Sequence, residues 1–439
     1  AAGATVPLLF RALASPTAGP GGAEDARFGA ALEPRIALYV STLTGAFLAS
    51  EPFLVAHART FQLDSTATST VWIGTLCAVL ALLERRVAFA LAAGACLGIA
   101  MLTRMLSGVF AAGLGCAFLG VFVLGRARDL RLLVLLAIFA ATTALTVVLL
   151  WPALWTTPLE AMSEVLRASR QTVGRGHVEL SWGSVHRRDP GAAFYAGVVL
   201  MRLTPEVLAF GVVSLALAWR MPRRTWLVLA LVACAYLPPA AALLLSAKKA
   251  DRYALLFFPL FTLLAIAGLV DLARRLPLRG RLAERGAAVA LVAAGVLLVA
   301  RLARVAAVHP VPIAWCATYP GLRCEEVITL GQGEGFRDAA LWIAENSPVQ
   351  NPSILSAYAG GAVLAPWLRF QRVRDPEKAH FILTYIASEQ RDADRTPRSF
   401  AVGEPLHQVI YQGRTYVNIF MGPAHPDAAV ARRRGRRSH

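Results

Sequence analysis

The chain has 439 residues, of which 56% are hydrophobic and only 16% are charged. Soluble domains carry about 25% charged residues, so this composition excludes an ordinary soluble enzyme and predicts a polytopic α-helical membrane protein. The net charge of +17 is typical of Arg-rich cytoplasmic loops and of contact with lipid headgroups. We therefore expect membrane lipid, and no nucleic acid, as a partner.

Apolar runs, each long enough to cross roughly 30 Å of hydrocarbon as a helix, predict nine spans after a partial helix. The partial helix covers residues 1–14 and begins with Ala rather than Met, so we expect the chain to be truncated at its N-terminus. The predicted spans are 36–56, 67–83, 87–103, 106–124, 131–151, 194–219, 225–246, 252–271 and 287–308. Together with their loops, they form a predicted membrane domain over residues 1–308.

The loop charges predict the orientation of this domain. Four Arg-rich loops fall on one side if every span crosses; they contain Arg85, Arg126, Arg223 and the segment 274–285. The positive-inside rule makes that side cytoplasmic. The extracytoplasmic side then holds residues 57–66, Arg104, the long loop 153–193, the segment 248–253 and everything after about residue 308.

The long loop and the C-terminal part differ from the spans. Residues 157–170 of the loop predict a short amphipathic helix, and charged residues return from about residue 322. GFRDAALWIAEN has helical periodicity, whereas PSILSAY, HFILTYI, HQVIYQG and TYVNIF predict strands. We expect a small extracytoplasmic α/β domain over 309–425 and a basic, disordered tail over 426–439.

Cys316 and Cys324 lie on the predicted outer side of the membrane. An oxidising compartment permits a disulfide between them. Whether they pair stays open at this point.

The segment KKADRY places Lys248, Lys249, Asp251 and Arg252 between two apolar runs. These charges and Arg104 oppose the general bias of the loops. Charges placed in this way usually have a local partner, and phosphate is a natural partner of Lys and Arg at headgroup depth. The alternative is that these side chains only snorkel to ordinary phospholipid.

Asp64 is the acidic candidate of the outer loops, since it follows His57 and Arg59 just before a span. A carboxylate at the mouth of an apolar bundle can act as a general base or a metal ligand, but Asp is also favoured as a helix N-cap. Glu51 is a second candidate, although the proline after it also fits a helix break. No zinc-binding spacing occurs, so the sequence predicts no certain cofactor and leaves a divalent metal open.

Three stretches carry a family likeness: PFLVAHARTFQLDSTATSTVWIGTLCAVLALLERR, LAAGACLGIAMLTRMLSGVF and KKADRYALLFFPLFTLLAIAGL. They resemble the membrane-embedded glycosyltransferases with the GT-C fold. Within that group, the chain looks most like the dolichyl-phosphate-mannose protein mannosyltransferases (glycosyltransferase family 39) and their bacterial aminoarabinose-transferase relatives. The matching motif positions are Arg59, Asp64, Arg104, Lys249, Asp251, Arg252 and Tyr253.

The resemblance implies an enzyme of the bacterial cytoplasmic membrane that moves a sugar from a polyprenyl-phosphate carrier to an extracytoplasmic protein, lipid or glycan by direct displacement. It implies a donor-phosphate site built from Arg59, Arg104, Lys248, Lys249, Arg252 and Tyr253. Fixed cations there stabilise the charge that develops on the leaving phosphate.

The same resemblance implies that Asp64 is an active-site carboxylate, supported by His57 and by Asp251, which orients Arg252 through an ion pair. The family's usual catalytic base lies in an earlier outer loop, between its first two spans. We expect that loop upstream of this chain, so whether Asp64 is the base stays open.

Two other functional classes stay open. A multi-span transporter or flippase of a lipid-linked or anionic substrate predicts internal repeats and broken spans with polar residues at mid-membrane, and the sequence shows no repeat. A non-catalytic envelope scaffold predicts that Asp64, Arg104 and Lys249 can be replaced freely.

Overall fold

The computed structural model describes residues 2–14, 32–59, 63–124, 129–174, 176, 178–221, 223–275, 286–356, 358, 363–391 and 397–428. The chain forms two compact units, Ala1–Gly176 with Val198–Ala307 and His177–Gly197 with Val308–His439. Part of the predicted outer loop therefore groups with the C-terminal residues. The predicted loop around Arg126, most of the predicted loop 274–285 and nearly all of the predicted tail lie outside the described residues.

The first unit is a bundle of mostly apolar helices. They are α1 (Ala2–Ala14), α2 (Pro34–Ala49), α3 (Pro52–Arg59), α4 (Leu63–Glu84), α5 (Val87–Thr103), α6 (Ser107–Leu124), α7 (Leu130–Leu150), α8 (Ala153–Thr156), α9 (Pro158–Gly174), α10 (Ala193–Arg202, whose first residues belong to the second unit), α11 (Pro205–Leu217), α12 (Arg223–Leu245), α13 (Phe258–Arg275) and α14 (Gly286–Ala307). A 3-10 segment, Asp251–Phe257, leads into α13. The predicted amphipathic helix of the outer loop corresponds to α9.

Among the described residues, four helical segments are long and apolar enough to cross a membrane, and the number rises to six if each of two bent pairs is one span. The four are Leu63–Glu84, Leu130–Leu150, Thr225–Leu245 and Asp251–Leu272. Shorter apolar helices cover Ala2–Ala14, Val87–Thr103 and Ser107–Val123. The predicted fold class, a helical membrane protein with a small C-terminal α/β region, is confirmed.

Two predicted spans, 36–56 and 194–219, are not continuous helices. The first bends by 56° between α2 and α3, and the second bends by 120° between α10 and α11. Pro52 and Pro205 begin the helices after the bends, because proline lacks an N–H group and fits the first helical position but not the interior. Main-chain groups freed at such breaks need partners when no water is available.

Close helix packing positions the end of α5. A Cβ atom at Gly94 would lie 2.6 Å from the carbonyl oxygen of Phe139, and one at Gly98 would lie 2.9 Å from that of Thr143. Both carbonyls belong to α7, so only glycine lets α5 approach this closely. Small residues four positions apart commonly permit such contacts between membrane helices.

Charged pairs lie at the end of α4 that is remote from Asp64. Glu84 accepts two hydrogen bonds from Arg11 of α1, at 2.6 and 2.7 Å, and Arg85 lies 3.1 Å from Asp129. The 22 residues of α4 rise about 33 Å, close to the ~30 Å thickness of a bilayer's hydrocarbon core. Asp64 and Glu84 are therefore separated by about one membrane thickness.

The second unit is built around a five-stranded sheet with the order β4-β3-β5-β7-β6. Its strands are β3 (Ser353–Ser356), β4 (Gln371–Arg372), β5 (Phe381–Tyr385), β6 (Val402–Tyr411) and β7 (Arg414–Met421). β3 pairs in parallel with β4 and β5, whereas β7 pairs antiparallel with β5 and β6. Four of these strands were predicted, and the short edge strand β4 was not.

Further elements of the second unit include a hairpin of β1 (Glu179–Ser181) and β2 (Ser184–His186) and the helices α15 (Cys324–Val327), α16 (Phe336–Asn346) and α17 (Ile386–Arg391). α16 is the predicted helix, and it buries Phe336, Ala340 and Ile343. Cys316 and Cys324 form a disulfide, which answers the question that the sequence leaves open.

Candidate functional site

Asp64 and Arg104 meet at one end of the helical bundle. Asp64 lies in the first turn of α4, and Arg104 directly follows α5. Because α4 and α5 are consecutive helices joined by a short turn, the start of α4 lies close to the end of α5. Asp64 is only 3% exposed, and its Oδ2 accepts a hydrogen bond from the Arg104 guanidinium. Two residues predicted from separate motifs are therefore direct partners.

The 3-10 segment brings Arg252 and Tyr253 to the same place. Nε of Arg252 lies 3.9 Å from Oδ2 of Asp64. Cζ of Arg104 lies 5.0 Å from the ring centroid of Tyr253, and Cζ of Arg252 lies 5.8 Å from it. We call Asp64, Arg104, Arg252 and Tyr253 the arginine cluster.

The arginine cluster has an excess of positive charge that ligands can reach. It contains two guanidinium groups and one carboxylate. The side chains of Arg104 and Arg252 are 24% and 39% exposed, whereas that of Asp64 is 4% exposed. The buried carboxylate thus holds the two guanidinium groups, and the exposed parts of these groups are available to an anion.

One oxygen of Asp64 has no donor within the described part of the chain. Oδ1 is buried and accepts no hydrogen bond there. A buried acceptor left without a donor costs about 1–3 kcal/mol, and more when it is charged. A substrate hydroxyl or a water molecule that donates to Oδ1 would remove this cost. The sequence also allowed Asp64 to act only as a helix N-cap. In the structure its carboxylate binds Arg104.

Asp251 contacts a residue that the sequence analysis did not single out. Its Oδ2 accepts a hydrogen bond from Arg202 at 2.9 Å, and its Oδ1 accepts one from the main-chain N–H of Arg252 at 2.7 Å. We expected Asp251 to orient Arg252 by an ion pair between side chains. In the structure it holds the main chain of Arg252 and forms an ion pair with Arg202, while the guanidinium of Arg252 approaches Asp64.

Lys249 occupies a position different from the predicted one. It is fully buried, and its Nζ donates to the carbonyl oxygens of Ser246 at 2.5 Å and Leu244 at 3.3 Å. The last carbonyls of α12 have no partner within the helix, and a lysine near a helix C-terminus can satisfy them. Lys249 is therefore buried and contacts the C-terminal end of α12, rather than exposed as we expected, and its role as a phosphate ligand stays a prediction. Lys248 is half-buried.

His57 and Arg59 lie on α3, which carries both a buried and an exposed face. His57 is fully buried and packs edge to face against Phe53, with ring centroids 4.5 Å apart. Arg59 is exposed and is the last residue of α3. Residues 60–62, which connect α3 to α4, lie outside the described residues.

Aromatic contacts hold the 3-10 segment in place. The ring of Phe257 lies 6.0 Å from that of Phe110 in α6 and 5.8 Å from that of Tyr236 in α12. Phe110 and Tyr236 pack edge to face at 4.9 Å. The segment that carries Arg252 is thus anchored between two helices at its C-terminal end.

A buried ionic network lies at the two broken spans, and sequence reasoning missed most of it. Arg301 of α14 is fully buried and pairs with Glu51 at 2.6 Å and with Glu206 at 3.2 Å. Arg304 binds Glu206 through two hydrogen bonds of 2.7 Å. We call Glu51, Glu206, Arg301 and Arg304 the buried network. A charge inside a predicted apolar span was the available signal, and of these four only Glu51 was noted.

The buried network also satisfies main-chain and hydroxyl groups at the bends. Arg301 donates to the carbonyl oxygen of Phe47 at 2.9 Å, to Oγ of Ser50 at 3.1 Å and to the hydroxyl of Thr204. Phe47 and Ser50 precede the first bend, and Thr204 lies at the second. One arginine therefore joins both broken spans to the last helix of the bundle.

No protein-family model matches the chain, and no curated protein matches it. The chain is similar to two crystal structures of ArnT from Cupriavidus metallidurans. The structure bound to undecaprenyl phosphate shows 14% identity and a TM-score of 0.42, with 95% of this chain and 82% of that chain covered. The apo structure has the same identity and coverage with a TM-score of 0.35. At these values, neither structure assigns a role to a residue of this chain.

Proposed function

We propose that this chain is a membrane glycosyltransferase that uses a polyprenyl-phosphate sugar donor. The observation that carries the proposal is the convergence of Arg104 and Arg252 on Asp64 at one end of an apolar bundle. Guanidinium groups bind phosphate through several directed hydrogen bonds. A pair of partly exposed arginines at the end of membrane helices suits a lipid-linked phosphate, whose tail lies in the bilayer.

The proposed reaction is a direct displacement at the anomeric carbon of the sugar. The bond from that carbon to the phosphate oxygen breaks, and a bond to the acceptor oxygen forms with inversion. Arg104 and Arg252 stabilise the negative charge that develops on the leaving phosphate. The acceptor hydroxyl donates to Oδ1 of Asp64, which takes the proton as the new bond forms.

The narrower assignment rests on the sequence motifs alone. The likeness to the mannosyltransferase family and its aminoarabinose-transferase relatives suggests mannose and aminoarabinose as the donor sugars for a first assay. The proposed acceptor is a protein, lipid or glycan. The proposal places the arginine cluster at the extracytoplasmic surface of the bacterial cytoplasmic membrane. The loop charges support this placement. The disulfide of the second unit, which is typical of oxidising compartments, supports an extracytoplasmic position for that unit.

The direct test is binding of undecaprenyl phosphate by the full chain in lipid nanodiscs. We expect the wild type to bind, and we expect Arg104→Met and Arg252→Met each to lower the affinity by about 10-fold or more, since a hydrogen bond to a charged group contributes about 1.5–3 kcal/mol. The matched control is Arg131→Met, because Arg131 is exposed and lies at the other end of the bundle. Equal affinities for all variants, or no binding by the wild type, would refute the proposal.

A transporter or flippase of a lipid-linked substrate is the second candidate. The two broken spans with buried polar residues favour it. The two functions differ in whether the sugar–phosphate bond breaks. Incubation with a polyprenyl-phosphate sugar and subsequent analysis of the lipid separates them: a transferase leaves the carrier without its sugar, whereas a flippase leaves the donor intact.

A further inference from the structure

The bend between α10 and α11 lies between two ionic sites of the first unit. The helix direction changes by 120° at this bend. Leu203 and Thr204, which form the bend, are fully buried. Thr204 has an extended main chain, with φ −64° and ψ 140°, as expected for a residue that precedes proline. A bend of this size inside an apolar bundle needs side chains that hold it.

On one side of the bend, Arg202 reaches the segment that carries Arg252. The Arg202 side chain is 2% exposed, and its Nη2 donates to Asp251 at 2.9 Å. Its Cζ lies 4.8 Å from the ring centroid of Phe53, so it also packs against α3. The second oxygen of Asp251 accepts the main-chain N–H of Arg252.

On the other side of the bend, Thr204 and Glu206 reach Arg301. The Thr204 hydroxyl accepts a hydrogen bond from Arg301 and donates to Glu51 at 3.3 Å. Glu51 and Arg301 are both fully buried, so removing either one leaves an uncompensated charge away from water. This pair gives the bend a fixed point in the core of the bundle.

Arg252 depends on these contacts because its side chain is weakly held. The 3.9 Å between its Nε and Oδ2 of Asp64 is longer than a hydrogen bond. The hydrogen bond from its main-chain N–H to Asp251 is 2.7 Å long. The main chain of Arg252, from which its side chain reaches Asp64, is therefore held directly by Asp251.

We propose that Arg202 and Arg301 are positioning residues for Arg252. Arg301 fixes Thr204, the bend places Arg202 two residues away, Arg202 fixes Asp251, and Asp251 fixes the main chain of Arg252. Neither Arg202 nor Arg301 touches the donor. Their role in donor binding rests on the proposed function, whereas the coupling through the bend rests on geometry alone.

Hydrogen–deuterium exchange of the full chain in nanodiscs tests the coupling without any ligand. We expect Arg202→Met to raise the exchange rate of the amides of residues 250–257 by about 10-fold or more, as loss of a buried ionic partner frees the segment. Thr204→Val keeps the size of the side chain at the bend but removes the Thr204 hydroxyl. We expect it to raise the exchange rate of residues 250–257 by less than Arg202→Met does. Arg202→Lys is expected to stay near the wild type, and Arg131→Met to match it.

Binding of undecaprenyl phosphate tests the role in the site. We expect Arg202→Met to weaken binding by about 10-fold and Arg202→Lys to restore most of it. Adding Asp251→Asn to Arg202→Met is expected to change little further, because residues that act as a unit are not additive. A merely structural role would lower the thermal stability of the Met variant and would leave the affinity of its folded fraction unchanged.

Two results would overturn the inference. Unchanged exchange of residues 250–257 in both folded Arg202→Met and folded Thr204→Val would show that the bend does not position the segment. Raised exchange with unchanged donor affinity would show that the positioning does not serve the site. If the wild type binds no undecaprenyl phosphate, the proposed function and the donor role fail together, and the exchange result still decides the coupling.

Discussion

The arginine cluster and the buried network use the same chemistry in opposite ways. The arginine cluster sets one carboxylate against two guanidinium groups, which are 24% and 39% exposed. The buried network sets two carboxylates against two guanidinium groups, and its central pair, Glu51 with Arg301, has no exposed area. The first arrangement leaves positive charge for a partner, whereas the second is balanced within the protein.

The comparison shows which feature separates a binding site from a structural one in this chain. Each region keeps a buried carboxylate oxygen that accepts no hydrogen bond from the described residues, Oδ1 of Asp64 and Oε1 of Glu51. That feature therefore does not distinguish them. Exposure of a cation alone does not distinguish them either, since the Arg304 side chain is 38% exposed. The balance of charge does, because only an uncompensated cation can bind an anion.

Asp64→Asn is expected to have the largest effect on activity. The amide keeps the size of the side chain but cannot take the acceptor's proton, so sugar transfer should fall by about 100- to 10,000-fold. The measurement is transfer of sugar from a polyprenyl-phosphate donor by the full chain, with Asp427→Asn as the control because Asp427 is exposed. Near-normal transfer by Asp64→Asn would leave Asp64 with a purely structural role.

Arg301→Met is expected to have the largest effect on stability. It leaves Glu51 buried without its ionic partner, a change that costs about 3–5 kcal/mol. Arg304→Met is the matched control, because the Arg304 side chain is 38% exposed and Glu206 keeps Arg301 as a partner when Arg304 is removed, so we expect a smaller loss. Thermal unfolding of the purified protein measures both variants. Equal losses would mean that burial does not separate the two arginines and would break the comparison.

Much of the fold could be predicted because the bilayer limits what a long apolar run can become. The length of hydrocarbon to be crossed predicted the bounds of most of the long helices within a few residues, and helical periodicity predicted α9 and α16. A helix break at Pro52 was noted as an alternative reading of Glu51, whereas the bend at Pro205 was missed because that proline stands inside apolar sequence. A bend angle depends on what packs against it, and pattern alone does not contain that information.

The candidate site was predicted in part for a related reason. Asp64, Arg104 and Arg252 stand at the ends of predicted spans, where a charge is conspicuous. Arg202 and Arg301 were missed because their partners are 49 and 250 residues away. Lys249 was placed on the surface because the sequence does not show which way a side chain points after a helix ends.

Substitutions of the two lysines in the KKADRY segment are expected to have the smallest effects, and they test the same comparison of structural and binding cations. Lys249→Met removes the donor that satisfies the last carbonyls of α12, so it should lower stability by about 1–3 kcal/mol. Lys248→Met should leave stability unchanged and weaken binding of undecaprenyl phosphate by less than about 5-fold, since Lys248 is half-buried and solvent screens its charge.

Salt dependence separates the two lysines further. The effect of Lys248→Met should shrink as ionic strength rises, because screening weakens interactions between exposed charges. The effect of Lys249→Met should not change with salt, because its contacts are buried and local. If Lys249→Met instead weakened binding without lowering stability, Lys249 would be a phosphate ligand after all. The division between buried structural cations and exposed binding cations would then have to be redrawn at this segment.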